Sequence, residues 1–184
     1  MSTVDDGRTR TYVWAMRLVL LALSGGLAAG LACGKIPGLT PDMRTPADHA
    51  REIEPRCQGF GEEAAAPLLS PAAVDSVEPA YSYVKSGPND REARLRGARI
   101  HVKPLAGLSR ESMARTLECH EARVTLGKAE ARVDDPYVLP GTWLDLDVDS
   151  EGDGFVVQVR TDVTDPARRV LERAQRFTAA RARP

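Results

Sequence analysis

The amino-acid sequence predicts an α+β domain: a four-stranded antiparallel sheet with two helices on one face, built as strand-strand-helix twice. Three observations predict it. Leu144, Leu146 and Val148 alternate with Asp145, Asp147 and Asp149, and Phe155, Val157 and Val159 return at the same period of two beyond SEGDG, residues 150–154. Ala98, Ile100 and Val102 alternate with Arg99, His101 and Lys103 in an earlier strand. Two stretches, after Ser109 and after Asp165, carry apolar residues at helical spacing. Four strands and two amphipathic helices close one core when both helices cover the same sheet face.

The elements follow in chain order. Tyr81–Val84 reads as a short first strand, and Lys85–Glu92 (KSGPNDRE) holds the Gly, Pro, Asn and Asp of a turn. Leu95–Lys103 is the second strand. Ser109 is a plausible N-cap, with Leu108 and Met113 spaced as a hydrophobic staple, and the helix ends near Leu126 before Gly127. Met113, Leu117, His120 and Val124 share one stripe of this helix. Cys119 points elsewhere, beside Ala122 and Leu126. After the hairpin, Asp165 with Pro166 opens the last helix, whose apolar face is Ala167, Val170, Leu171, Ala174 and Phe177. The Ala/Arg-rich end, residues 181–184, is expected to fray. Gly97–Val102 aligns with Gly154–Val159 at an offset of 57, and Arg115–Glu118 with Arg169–Glu172 at an offset of 54. The halves read either as a duplicated unit or as similar amphipathic units agreeing by chance.

Upstream lies a different kind of sequence. Leu18–Gly34 is a run of 17 residues without charge, preceded by Arg8, Arg10 and Arg17. It is short for a membrane span, which needs roughly 20 apolar residues. A basic foot, an apolar core and small residues at its end describe an export signal better. The run closes on Gly30-Leu31-Ala32-Cys33, which resembles the lipobox of bacterial lipoproteins, with Leu second rather than first of the four. That resemblance implies cleavage before Cys33, acylation of Cys33 and anchorage in a membrane. Gly34 stands where lipoproteins kept at the inner membrane often carry Asp, so the resemblance implies the periplasmic side of the outer membrane. A retained N-terminal helix and an ordinary secreted leader are the alternatives.

A leader of residues 1–32 leaves a mature chain of 152 residues, one ordinary domain with a tail. Without Arg8, Arg10, Arg17, Asp5 and Asp6 the balance is 22 basic to 24 acidic residues. That argues against a nucleic-acid partner, which calls for a basic excess. Residues 33–80 hold seven of the 13 prolines and read as a tether with short helical pieces, one beginning at Thr45-Pro46 and one at Ser70-Pro71. The folded domain is placed at 81–180. If Cys33 is acylated, Cys57 and Cys119 remain as a pair in an oxidising compartment, where a bridge between them would join tether to helix. Two unpaired buried thiols are the alternative.

Candidate chemistry is sparse. The second sheet face should display Arg99, His101, Lys103, Trp143, Asp145 and Asp147 as a polar binding face. Asp149-x-Glu151-x-Asp153-Gly154 resembles the start of an EF-hand loop, but Arg160 occupies the twelfth position, where a bidentate Glu belongs. A solvated strand face explains these acids, so no metal is expected. Cys119-His120 with His101 could suggest zinc or thiol chemistry, yet neighbouring helical residues diverge by about 100° and a bridge employs Cys119 better. No catalytic residues and no cofactor are assigned. The C-terminal helix carries Arg168, Arg169, Arg173, Arg176, Arg181 and Arg183, a solvated face or a patch for anionic lipid. The expectation is a lipid-anchored binding or assembly accessory of the cell envelope with an envelope protein as partner. The rivals are an envelope enzyme using His101, Cys119 or the Asp145/Asp147 pair, and a ligand- or metal-sensing module.

Overall fold

The computed structural model describes residues 44–182 apart from 86, 88 and 89. The apolar run, the lipobox-like end and Cys33 lie outside the described residues. The turn read over Lys85–Glu92 falls partly outside them. Among the described residues no helix is long and apolar enough to cross a membrane.

The architecture is α+β, with a four-stranded antiparallel sheet. Strands β1 (Val74–Lys85), β2 (Arg91–Val102), β3 (Asp145–Glu151) and β4 (Gly154–Arg160) take the order β1-β2-β4-β3. Helix α3 (Arg110–Thr125) follows β2 and helix α4 (Thr164–Ala179) follows β4. Upstream are α1 (Pro46–Ile53) and the short α2 (Glu62–Ala65). Ala98, Ile100 and Val102 join Val148, Val157 and Val159 on the covered sheet face, under Met113 and Leu117 of α3 and Val170, Ala174 and Phe177 of α4.

The local signals in the sequence explain most element ends. Thr45 caps α1 reciprocally: its hydroxyl accepts from the Asp48 amide at 3.2 Å, while Asp48 Oδ2 accepts from the Thr45 amide at 2.9 Å. The Ser109 hydroxyl accepts from the Ser112 amide at the start of α3. At its end Gly127 (φ 68°) lets the Gly127 amide reach the Val124 carbonyl and the Lys128 amide reach that of Arg123.

Several boundaries differ from the sequence expectation, among them the start of β2 at Arg91 rather than Leu95, inside the stretch read as a turn. Strand β1 starts at Val74 rather than Tyr81, because Pro79 sits in an edge strand, where a missing N–H is tolerated. Helix α4 starts at Thr164 with Val163 at the cap position and no side-chain cap, so Asp165 does not cap it. The Ala167 amide already donates to the Val163 carbonyl, and Pro166 stands third in the helix, where its absent N–H leaves no bond unmade. The end expected to fray continues as a 3-10 turn over Ala180–Ala182, and Arg181 donates to the Val74 carbonyl at 2.8 Å.

The stretch read as tether also behaves differently from Arg44 onward. It belongs to the same compact unit as the sheet. Ala50, Cys57, Ala65, Leu68, Leu69 and Ala73 are buried, and α1 packs on α3. A disulfide joins Cys57 to Cys119 with a Cα–Cα separation of 5.5 Å, as the cysteine count anticipated. Arg123 reinforces it by donating to the Cys57 and Phe60 carbonyls. Prolines that rule out a long helix still allow short turns, and these turns are cross-linked onto α3.

The two ββα halves correspond in register. Ile100 pairs with Val157, its counterpart at the 57-residue offset, so the two aligned segments are neighbours in the sheet. Helices α3 and α4 have 16 residues each. Each helix packs on the other half's strands, α4 on β2 and β1, α3 on β3.

Candidate functional site

The uncovered sheet face is a lattice of charge set by register. One row crosses the sheet as Glu78, Arg99, Gln158 and Asp147; its neighbour runs Ser76, His101, Val156 and Asp149. Arg99 lies 3.9 Å from both Glu78 and Glu151. His101 Nδ1 is 2.9 Å from Glu151 and its Nε2 is 3.7 Å from Glu78. Arg160 reaches Asp145 at 2.9 Å and Asp147 at 3.9 Å, and Gln158 donates to Asp149. These pairs are solvated, so each adds well under about 1 kcal/mol and the face is open to exchange partners.

Of the six residues expected there, Arg99, His101, Asp145 and Asp147 stand on this lattice. Lys103 follows β2 and is held to the approach to β1, its amide on the Ala73 carbonyl and its Nζ on that of Ala72. Trp143 precedes β3, and its indole stacks on His49 of α1 with centroids 5.4 Å apart and planes 11° from parallel. Sequence reasoning missed Glu78, because it lay in the supposed tether, and Glu151, because it was assigned to a turn. His101 and Asp145 do not converge: His101 and Gly97, the residue in line with Asp145, are four positions apart on β2, about 13 Å. Cys119 is bridged and offers no thiolate. Among the described residues no group of three or more His, Cys, Asp or Glu side chains is placed to hold a metal ion.

Two buried polar centres lie on α3, side by side in sequence. His120 is sealed from solvent between Asp135, whose Oδ2 is 2.7 Å from Nε2, and Glu62 of α2, 3.2 Å from Nδ1. Burial opposes its protonation, but the hydrogen bond and charge of Asp135, joined by Glu62, prevail and raise its pKa. Asp135 also accepts from the Tyr137 amide, and its carbonyl accepts from Arg173 of α4. Arg176 pairs with Asp134 at 3.0 Å, so part of the basic row on α4 secures this loop.

Glu121 points the other way. Its Oε1 accepts from the Leu144 amide at 2.7 Å, whereas its Oε2 is buried with no hydrogen-bond partner. Burial raises its pKa well above the ordinary carboxyl value against the pull of that amide, and Asp135, Glu118 and Asp145 add to the rise. Beside it opens a cavity of about 320 Å³ between α1, α3 and the start of β3. No sequence signal marked Glu121, because α3 is buried on a second side only once α1 lies across it.

Beyond the last β2–β4 pair, Gly97 with Arg160, the β1–β2 hairpin continues alone from Tyr81–Leu95 to Lys85–Arg91. This arm exposes Tyr81 by 53%, Tyr83 by 70% and Val84 by 49%.

Comparison with protein-family models, with curated proteins and with solved structures finds no match for the chain. The functional reading therefore rests on residues and geometry alone.

Proposed function

We propose that the protein is a lipid-anchored accessory of the bacterial cell envelope, tethered through Cys33 and binding an envelope protein through the β1–β2 arm and the adjoining sheet face. The observation that carries the binding reading is the arm. A two-stranded ribbon standing clear of its sheet contributes little stability of its own, yet this one exposes two tyrosines and a valine. Tyrosine is enriched in protein interfaces because it buries a large ring with little loss of side-chain freedom. Solvated charge pairs beside it suit a polar rim. The anchor reading is supported by the basic foot, the apolar run and the lipobox-like Gly30-Leu31-Ala32-Cys33. The outer membrane, periplasmic side, is the proposed location, supported by Gly34 after Cys33.

Two experiments in cells test it. Cys33→Ala is expected to move the protein out of the membrane fraction; retention there at the wild-type size would overturn the anchor. A photo-crosslinking residue in place of Tyr83 is expected to give a discrete adduct that the same residue at Asp165 does not. The same adducts at both positions, or none at Tyr83, would overturn the arm as binding element.

A further inference from the structure

The open sheet face has a hollow where two neighbouring strands carry almost no side chain. Beside the row Glu78, Arg99, Gln158 and Asp147 runs the row Ala80, Gly97, Arg160 and Asp145. Ala80 offers a methyl group and Gly97 nothing, where the first row carries Glu78 and Arg99. The hollow measures about 390 Å³, and Ala80, Arg99, Gln158, Arg160 and Asp145 line it. Arg96 lines it too. The β1–β2 register slips between Ala80 and Tyr81, so Arg96 has no Cα partner on β1, and an extra residue of this kind re-aims its side chain. Arg99 and Arg160 are diagonal neighbours on β2 and β4, roughly 7–8 Å apart, which long side chains span. Three guanidiniums therefore share the hollow with one carboxylate, that of Asp145. Glu78, Glu151 and Asp162, which also pair with these arginines, do not line it. Arg99 is the least committed of the three. Both of its acids are 3.9 Å away, beyond hydrogen-bond length, and its guanidinium makes no hydrogen bond among the described residues. Arg160 gives one nitrogen to Asp145 and the other to Gln158, which leaves donors unused on a group that has five.

We propose that this hollow is a binding site for a phosphate group, held by Arg96, Arg99 and Arg160. A flat carboxylate is filled by one guanidinium fork, whereas a phosphate presents acceptors around a tetrahedron and takes forks arriving from different strands. Arg99 is the principal donor, Arg160 and Arg96 flank it, and Ala80 and Gly97 leave the room. The existing pairs with Asp145, Glu78, Glu151 and Asp162 are solvated and weak, so a doubly charged anion displaces them readily. The phosphate can come from the free ion or from a phosphorylated lipid headgroup; the contact is the same. The hollow adjoins the root of the arm but stands or falls separately from it, because a failed crosslink at Tyr83 leaves the three arginines in place.

Isothermal titration of purified full-length protein in nonionic detergent at low salt tests this. The probes are inorganic phosphate, glycerol monophosphate and acetate. Phosphate is expected to bind saturably with a roughly millimolar dissociation constant, as suits so few atoms, and acetate at least about tenfold more weakly. Arg99→Gln should weaken phosphate at least about tenfold. Arg160→Lys keeps the charge beside Asp145 but loses the planar fork; it should weaken phosphate several-fold and keeps the test usable if the first variant folds poorly. Arg168→Gln removes the same charge outside the hollow, from an exposed pair with Asp165, and should leave binding unchanged. Stronger binding of glycerol monophosphate than of inorganic phosphate points to a lipid headgroup as the natural source, equal or weaker binding to the free ion; either supports the site. No saturation by either phosphate, acetate binding as tightly as phosphate, undiminished binding in the folded Arg99 and Arg160 variants, or an equal loss in Arg168→Gln would overturn it.

Discussion

His120 and Glu121 share a peptide bond and answer burial in opposite ways. His120 gathers two carboxylates and favours its charged form, whereas Glu121 has one amide and favours its neutral form. Both pKa values are raised, so both act on stability with the same sign. His120 contributes stability that is fully present below its ordinary pKa of 6.5 and lost as pH rises through the higher folded value. Glu121 likewise favours the folded state at low pH and loses that contribution as pH rises through its own raised value. The urea midpoint is therefore expected to fall from pH 6 to pH 9. His120→Gln should flatten that fall, and a midpoint that climbs over this range would contradict the assignment. Gly97 shows a steric requirement instead. It sits at φ 144°, and a Cβ there would overlap the carbonyl oxygen of Val159 in the neighbouring strand. Gly97→Ala should cost about 3 kcal/mol in denaturant unfolding. Gly107→Ala, with positive φ but open space around it, should cost only about 1 kcal/mol.

At the scale of elements, what was legible in the sequence is what local chemistry decides. The caps at Thr45 and Ser109, the end at Gly127 and the β3–β4 hairpin each depend on residues within a few positions of one another. The start of β1, the packing of the 44–73 stretch and the entry to α4 depend on distant partners, and these were misread. Pro79 breaks a strand only if that strand is central, and nothing local says β1 is an edge. The candidate face divides the same way: Arg99, His101, Asp145 and Asp147 follow from alternation, but Glu78 requires knowing that β1 reaches so far upstream. The disulfide was legible once Cys33 was set aside as the residue that resembles a lipidated cysteine, which leaves Cys57 and Cys119 as a pair. It closes a sequence separation of 62 residues, so Cys57→Ser should lower the unfolding free energy by about 4 kcal/mol, read from denaturant curves of oxidised protein. Denatured, unreduced wild type should show neither of these thiols; labelling of both would refute the bridge.

Over the whole molecule, the two halves are matched where they meet and unmatched where they end. The β2–β4 pairing relates each strand to its counterpart, and each helix covers the strands of the opposite half. This exchange makes neither half complete alone, because each leaves its partner's sheet bare when removed. The outer hairpins diverge: β3–β4 turns tightly at Gly152, while β1–β2 runs on into the arm. Whatever the common plan of the halves, the arm belongs to one of them only.

The Cys57–Cys119 bridge makes residues 57–119 a covalent ring, and β1, β2 and the arm all lie inside it. Tension entering from the N-terminal end and leaving through the C-terminal half travels across the sulfurs and bypasses the ring. The sequence separation of 62 that it spans represents on the order of 200 Å of extensible chain that stays slack until the bridge is reduced. A load applied at the arm enters the ring itself and divides between its two limbs, toward Cys57 and toward Cys119. The same covalent bond thus shields the arm from stretching of the chain around it and spreads any pull that a bound partner exerts on it.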